Sequence, residues 1–223
     1  MEGKQTKLSY SNSPGDILDV CGNCFRVIER FRRIGTGIGQ SLIPDVHAQS
    51  TACKMRVFYV VENAENEKRF LKVSFGEKTW SMKNEHRMLT AYQNLRLQHE
   101  EFAVRLVQVH GYDPTPKREV LVLEYLEGFQ KVHTCGAFIA KARCGALVTG
   151  ICKWCNLTGE PSFDLSANNM LARKTDDGVE VCLVDPNLGF FWKRGAVAFR
   201  WTALGGLSGT KTRQQWLDAY GDK

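Results

Sequence analysis

The chain of 223 residues lacks long apolar segments and lacks dense runs of charge of one sign. Its longest apolar stretch, residues 120–126, is interrupted by Glu124 and is much shorter than the roughly 20 residues that cross a bilayer. Thirty Lys and Arg against 24 Asp and Glu give a net charge of +6, but the densest basic cluster holds only Arg30, Arg32 and Arg33. We therefore expect neither a membrane span nor a nucleic-acid-binding tract.

The amino terminus also lacks the apolar segment of a secretory signal. Residues 1–16 are polar and contain a Ser-Pro-Gly turn signal, which predicts a mobile tail. The eight cysteines are interpreted as reduced thiols, because 12 Phe and 5 Trp can supply a core without disulfide bonds. Two pairs, Cys21/Cys24 and Cys152/Cys155, have a spacing that suits zinc, but two ligands each favour ordinary thiols over a metal site. These features together indicate a cytoplasmic protein.

The distribution of apolar residues predicts a chain that mixes strands and helices. Strands are expected at residues 25–34, 55–61, 69–75, 104–109, 120–125, 170–173 and 179–184. Helices are expected at residues 81–97, 137–157 and 210–220. Pro114 and Pro116 are expected to mark the turn between two of the strands.

Several charged residues stand where their chemistry needs an explanation. Lys72 lies inside the apolar strand 70–75, where an unpaired ammonium would be costly to bury. It is expected to face solvent or an anionic partner, and Glu85 on the following helix is a candidate partner. Asp164 and Asn169 stand in one loop, and Asp185 directly follows an apolar strand. Each of these residues alone is also typical of turns and caps.

The order of these parts is the order that phosphoryl transfer from ATP requires, and the chain resembles the protein-kinase superfamily over residues 25–192. Residues 84–89 resemble the kinase αC segment, residues 120–128 resemble strand five and the hinge, and residues 164–171 resemble the catalytic loop. Asp185-Pro-Asn187 stands where Asp-Phe-Gly normally does. The resemblance implies an α+β, two-lobed fold. A five-stranded antiparallel N-lobe with the hinge would occupy residues 17–126, and a truncated, mainly helical C-lobe residues 127–223.

The resemblance also implies catalytic and metal-binding roles. Lys72 would contact the α- and β-phosphates of ATP while Glu85 orients it. Asp164 would accept or orient the hydroxyl proton of the acceptor. Asn169 and Asp185 would hold Mg²⁺, with Mn²⁺ as a substitute, through hard oxygen ligands.

Nucleotide binding would then depend largely on backbone groups. The loop with Gly35, Gly37 and Gly39 would bring backbone N–H groups close to the phosphates, because glycine has no Cβ in the way. The hinge backbone around Glu124 and Leu126 would hold the adenine.

Several positions depart from the family pattern. The glycine loop is one residue short of G-x-G-x-x-G, and Phe70 occupies the position where kinases usually place a small Ala above the adenine. Ser162-Phe163 replaces the His-Arg of the catalytic loop, so activity is not expected to require phosphorylation of an activation loop.

Few residues follow Asp185, so the platform that presents peptide substrates is expected to be missing. Kinases of this size resemble the minimal effector kinases that pathogenic bacteria inject into host cells, some of which engage ubiquitin-conjugating enzymes or chaperones. The resemblance implies an ATP- and Mg²⁺-dependent, Ser/Thr-directed protein kinase with an unidentified protein substrate, acting in the host cytosol if it is an effector. Two alternatives stay open: an inactive pseudokinase that binds a partner protein, and a small-molecule phosphotransferase of the aminoglycoside-kinase type.

Overall fold

Much of the chain folds into strands. The structure is a computed structural model, and it describes residues 5–9, 11–34, 41–44, 56–75, 80–98, 105–131, 169–176, 178–185, 196–201 and 207–212. The helix α1 is Trp80–Gln98. In chain order the strands are β1 (Gln5–Thr6), β2 (Ile17–Val20), β3 (Asn23–Ile34), β4 (Ser41–Pro44), β5 (Arg56–Glu62), β6 (Lys68–Phe75), β7 (Arg105–Leu106), β8 (Val109–Thr115), β9 (Arg118–Glu124), β10 (Gln130–Lys131), β11 (Met170–Thr175), β12 (Gly178–Leu183), β13 (Ala196–Trp201) and β14 (Leu207–Thr212).

The chain divides into two compact units. The first comprises Met1–His86 with Gln108–Tyr125, and the second comprises Arg87–Val107 with Leu126–Lys223. The lobe limits of 17–126 and 127–223 stay a prediction.

The first unit contains an eight-stranded sheet with the order β1-β2-β3-β5-β6-β9-β8, in which β4 also pairs with β3. The observed sheet is therefore larger than the five-stranded antiparallel sheet expected from the sequence. It contains β1, β2 and β4 in addition, and β1 and β2 pair in parallel. These added strands have two to four residues, too few for a period of two to stand out in the sequence. The hairpin from β2 to β3 turns at Cys21 and Gly22, which both have positive φ.

The amino-terminal residues pack against this sheet. Leu8 and Asn12 are buried, and the Tyr59 hydroxyl donates a hydrogen bond to the carbonyl of Ser9 at 3.1 Å. Asn12 Oδ1 accepts a hydrogen bond from the backbone N–H of Ser9 at 2.6 Å. The described residues 7–9 and 11–16 thus include side chains that pack against the sheet, and the mobility expected for residues 1–16 stays a prediction.

One hydrophobic cluster of the first unit lies on one face of the sheet. Leu71 and Val73 of β6 and Val120 and Val122 of β9 are buried there with apolar residues of the neighbouring strands. Because successive side chains point to opposite faces of a strand, Lys72 lies on the other face.

The predicted helix at residues 81–97 is confirmed as α1. Met82, Met88, Leu89 and Tyr92 are buried at a spacing of three to four residues, as an amphipathic helix requires. Glu85 falls within this apolar stripe and is itself fully buried.

The strand expected at residues 104–109 is instead divided between β7 and β8, which belong to different sheets. Pro114 lies inside β8, so only Pro116 and Lys117 form the turn to β9. A proline is tolerated there because β8 stands at the end of the sheet order and can leave one backbone edge without ladder bonds.

The second unit contains a four-stranded sheet with the order β10-β11-β12-β7. Glu180 of β12 is held by Arg105 of β7 at 2.8 Å and by Arg173 of β11 at 2.7 Å. Although burial opposes it, these two guanidinium groups lower the pKa of the Glu180 carboxyl. These ion pairs connect side chains of three neighbouring strands of the small sheet.

A further hairpin, β13 and β14, contains residues 210–212, for which the sequence predicts a helix. That expectation is wrong for these three residues, because each pairs directly with the strand before it. The rest of that predicted helix, and the one at residues 137–157, lie outside the described residues. Within the described ranges, no helix has both the length and the apolar character of a membrane span.

Candidate nucleotide-binding site

A buried ion pair lies on the face of the first unit's sheet that carries α1. Lys72 Nζ lies 2.5 Å from Glu85 Oε1, and the two side chains are 8% and 0% exposed. Lys72 is central in the sheet, because β6 pairs with β5 on one side and with β9 on the other. The structure thus brings together the lysine and the glutamate that the sequence suggested as partners.

Direct pairing of residues across the strands defines a row through Lys72. Phe58 of β5 is opposite Lys72, Leu121 of β9 is opposite Lys72, and Tyr112 of β8 is opposite Leu121. Residues that are directly opposite in adjacent strands share one face of a sheet. Tyr112 and Lys72 therefore lie on the same face, two strands apart.

A second contact joins α1 to this row. The rings of His86 and Tyr112 stack with centroids 4.6 Å apart and an interplanar angle of 17°. The Tyr112 hydroxyl donates a hydrogen bond to Glu119 Oε1 at 2.7 Å, and Glu119 is buried. Burial and this carboxylate raise the pKa of Tyr112, and burial lowers the pKa of His86.

Sequence reasoning missed these three residues. The available signal was Glu119, which stands at an alternating position of the apolar strand 118–124 and so needs a polar partner if it is buried. His86 is adjacent to Glu85, but nothing in the sequence shows that it meets an aromatic ring.

Phe70 lies on the same face as Lys72, two residues earlier in β6. Its ring stacks on that of Phe58 with centroids 5.9 Å apart, and it is opposite Val60 and Leu123 in the neighbouring strands. A large ring therefore stands at the position where the kinase pattern has alanine.

Of the two hinge residues, Glu124 ends β9 and Leu126 lies in the connection between β9 and β10. The backbone N–H of Glu124 donates to the carbonyl of Gln108 at 2.9 Å, so this donor is used within the protein. The carbonyl of Leu126 accepts a hydrogen bond from the N–H of Phe129 at 3.3 Å, in a turn where Gly128 has a positive φ of 75°. Contacts of these residues with adenine stay a prediction.

In the second unit, Asn169 and Asp185 stand at one end of the hairpin formed by β11 and β12. Met170 pairs with Leu183, and the N–H of Val184 donates to the carbonyl of Asn169 at 2.8 Å. This bond closes the hairpin one residue before Asp185, and both Asn169 and Asp185 are half-buried.

The donor set of Asn169 and Asp185 fits Mg²⁺, which prefers hard oxygens and is usually held by one or two carboxylates together with phosphates and water. Among the described residues, no group of three or more His, Cys, Asp and Glu side chains is arranged to hold a metal. The roles of Asn169 and Asp185 as ligands of Mg²⁺ or Mn²⁺ stay predictions.

The other predicted site residues are outside the described part of the chain. These are Asp164, Gly35, Gly37 and Gly39. Their roles stay predictions, as do those of Ser162, Phe163 and Asn187. Of the zinc candidates, Cys21 and Cys24 are free thiols exposed to solvent, whereas Cys152 and Cys155 are not described.

Comparison with known proteins supports the fold. No protein-family model matches the chain, and no curated protein matches it. Solved structures do match, among them a BubR1 kinase domain with a TM-score of 0.53 and 16% sequence identity. That match covers 84% of this chain and 52% of the kinase domain, so the chain spans about half the length of that structure. With its curled sheet and buried lysine–glutamate pair, the chain has an α+β, protein-kinase-like fold.

Proposed function

We propose that this protein is an ATP- and Mg²⁺-dependent protein kinase that transfers the γ-phosphate of ATP to a serine or threonine hydroxyl of another protein. The observation that carries the proposal is the buried ion pair between Lys72 and Glu85. A buried ion pair is often no more stabilising than two well-packed apolar side chains, so stability alone is a weak reason to have one. A kinase-like fold provides a reason, because such a pair positions an ammonium for nucleotide phosphates.

The second unit carries two groups that can ligate a metal ion. Asn169 and Asp185 offer an amide oxygen and a carboxylate from the same end of one hairpin. When bound with ATP, Mg²⁺ would neutralise charge on the phosphates. Asp164, by the sequence resemblance, would orient the acceptor hydroxyl and accept its proton while the new O–P bond forms and ADP leaves.

One observation favours a second candidate, a catalytically inactive pseudokinase that binds a partner protein. Phe70 stacks on Phe58 on the lysine-bearing face of the sheet, where the resemblance expects an alanine above adenine. A large ring at this position narrows the space for a base and could abolish turnover without affecting the fold.

The partner and the location form part of the same proposal. The substrate is an unidentified protein, with ubiquitin-pathway proteins and chaperones as the first classes to examine. The protein acts in the cytoplasm, and in a host cytosol if it is a secreted effector. The partner classes and the host location are supported by the sequence resemblance alone, and the cytoplasm by the interpretation of the cysteines as reduced thiols.

The test is transfer of labelled phosphate from ATP with Mg²⁺ to the protein itself, to a cell lysate and to a panel of small alcohols. The wild type is compared with Asp185→Asn and with the double variant Lys72→Met/Glu85→Leu, which removes both charges together. Asp176→Asn and Lys174→Met change exposed residues of the same types and serve as matched controls.

Label in protein acceptors that both site variants lose and both controls keep would support the kinase proposal. Label found only in small alcohols would show that the phosphate acceptor is a small molecule and not a protein. No label from folded wild type would favour the pseudokinase.

A further inference from the structure

Helix α1 is anchored to the sheet of the first unit by two adjacent residues. Glu85 contacts Lys72, and His86 stacks on Tyr112. Lys72 and Tyr112 are separated by Leu121 in one row of directly paired residues. The two anchor points are therefore about 9.5 Å apart across the sheet, or two strand spacings.

A helix held at one point can still roll about that point, whereas a second contact to one side prevents the rolling. Glu85 is embedded in the apolar stripe of α1, so a small rotation of the helix would withdraw its carboxylate from Lys72. The stack at His86 resists that rotation on the side of β8.

We infer that His86 and Tyr112, with Glu119, form a positioning device that fixes the rotation of α1 and so holds Glu85 against Lys72. This inference rests on the proposed function for its catalytic meaning. The contacts themselves lie entirely within the first unit.

The protonation states of Tyr112 and His86 favour a rigid stack. Burial and Glu119 keep Tyr112 protonated, so its hydroxyl stays a donor to Glu119 Oε1. Burial also favours the neutral form of His86, which can lie on the phenol ring without the desolvation of a cation.

Glu119 provides a further argument. It is only 6% exposed, and its Oε2 has no hydrogen-bond partner among the described residues. A buried carboxylate with an unsatisfied oxygen destabilises a fold. Its bond to Tyr112 gives a reason for this position to be acidic, because the bond fixes the ring on which His86 stacks.

The test needs a measurement that does not depend on activity. Competitive acetylation of the lysines with acetic anhydride, followed by mass spectrometry, reports how well Lys72 is shielded by Glu85 and the surrounding packing. Lys174, which is exposed, serves as the internal standard. The variants are His86→Leu, Tyr112→Leu and Tyr112→Phe, with Lys83→Leu as the control that places the same side chain on an exposed position of α1.

We expect acetylation of Lys72 relative to Lys174 to rise at least about threefold in His86→Leu and Tyr112→Leu, the scale of coupling within one network. Tyr112→Phe, which keeps the ring and loses only the bond to Glu119, should show a smaller rise. His86→Phe should restore the low wild-type value, because it can stack again. Lys83→Leu should match the wild type.

Each variant is first shown to be folded by its cooperative thermal transition. If a leucine variant does not fold, Tyr112→Phe still tests the inference, because it disturbs the stack by releasing the ring from Glu119 and should raise acetylation of Lys72. Unchanged acetylation of Lys72 in the folded variants that disturb the stack would overturn it.

The rate of phosphate transfer provides a second, independent test of the inference. In an active enzyme, His86→Leu should lower kcat for phosphate transfer, and His86→Phe should recover it, while Lys83→Leu has no effect. A wild type that transfers no phosphate but shows the expected acetylation pattern would refute the proposed function and leave the positioning device standing. An active wild type whose stack variants change neither kcat nor acetylation would refute only the positioning device.

Discussion

Lys72 Nζ lies 2.5 Å from Glu85 Oε1, joining the central strand β6 to the buried stripe of α1. Both side chains are almost completely removed from solvent. In this setting each charge depends on the other, because a single buried ion without its partner has lost its hydration without compensation.

Removing one partner should therefore destabilise the fold more than removing both. We expect Lys72→Met to lower the free energy of unfolding by about 3–5 kcal/mol, as for other broken buried pairs, and Lys72→Met/Glu85→Leu to recover most of this loss. Urea denaturation measures both. Lys174→Met, at an exposed position, should stay within about 0.5 kcal/mol of the wild type. A Lys72→Met protein as stable as the wild type would show that the pair is not buried as described.

The sequence alone indicates the pair of Lys72 and Glu85, but it does not indicate the stack of His86 on Tyr112. Lys72 could be recognised because an ammonium inside an apolar strand needs a partner, and Glu85 because it follows on an amphipathic helix. The row that joins Tyr112 to Lys72 depends on a β-bulge between Val109 and Gly111. A shift of one residue reverses the face of every side chain, so the position of Tyr112 could not be known without the register.

The strands of the sheet could likewise be predicted only in part from the sequence. Strands rich in β-branched and aromatic or other apolar residues, such as β6 and β9, lie close to their predicted bounds. The short β2 and the packing of Leu8 arise from tertiary contacts that leave little trace in local sequence. The pairing of β13 with β14 likewise overrode a helical pattern at residues 210–212.

Replacing the phenylalanine at position 70 by a smaller residue should widen the space for the adenine base. Phe70 stacks on Phe58 on the face that carries Lys72, so Phe70→Ala should tighten binding of Mg²⁺-ATP by about tenfold, the scale on which an apolar pocket rejects a misfitting group. Titration with a fluorescent ATP analogue measures this. Phe75→Ala, at a half-buried phenylalanine of the same strand that packs against the opposite face of the sheet, is the matched control. Unchanged or weaker binding in Phe70→Ala would mean that the ring does not border the base.

The stack on Tyr112 should be visible in the titration of His86. Burial lowers the pKa of His86 from its ordinary value of 6.5, so the unfolded chain takes up this proton at a higher pH than the folded protein does. The stability contributed by the neutral ring is thus complete above pH 6.5 and declines as the pH falls from 6.5 to the folded pKa.

In Tyr112→Leu, the imidazole of His86 should be more hydrated and its pKa should return towards 6.5. NMR titration of the histidine ring protons measures this directly. His110, whose pKa is lowered by its own burial and by Arg69, provides an internal comparison. Equal pKa values for His86 in the wild type and in Tyr112→Leu would contradict the shielding of one ring by the other.

Asp185 should determine the dependence of nucleotide binding on Mg²⁺. Asp185→Asn removes the carboxylate that Mg²⁺ prefers, so adding Mg²⁺ should strengthen ATP binding in the wild type and have little effect in this variant. Asp176→Asn, at an exposed position after β11, should behave like the wild type. An equal Mg²⁺ effect in Asp185→Asn and the wild type would exclude Asp185 as a metal ligand.

The most direct test of the account is calorimetric titration of the protein with Mg²⁺-ATP, comparing the wild type with Lys72→Met/Glu85→Leu. This double variant removes the ion pair without leaving a buried charge alone, so the protein should remain folded. The wild type should bind the nucleotide, and the double variant should bind it at least about tenfold more weakly, as expected for loss of a charge-assisted contact. Equal affinities, or no binding by folded wild type, would contradict the claim that this ion pair serves a nucleotide site.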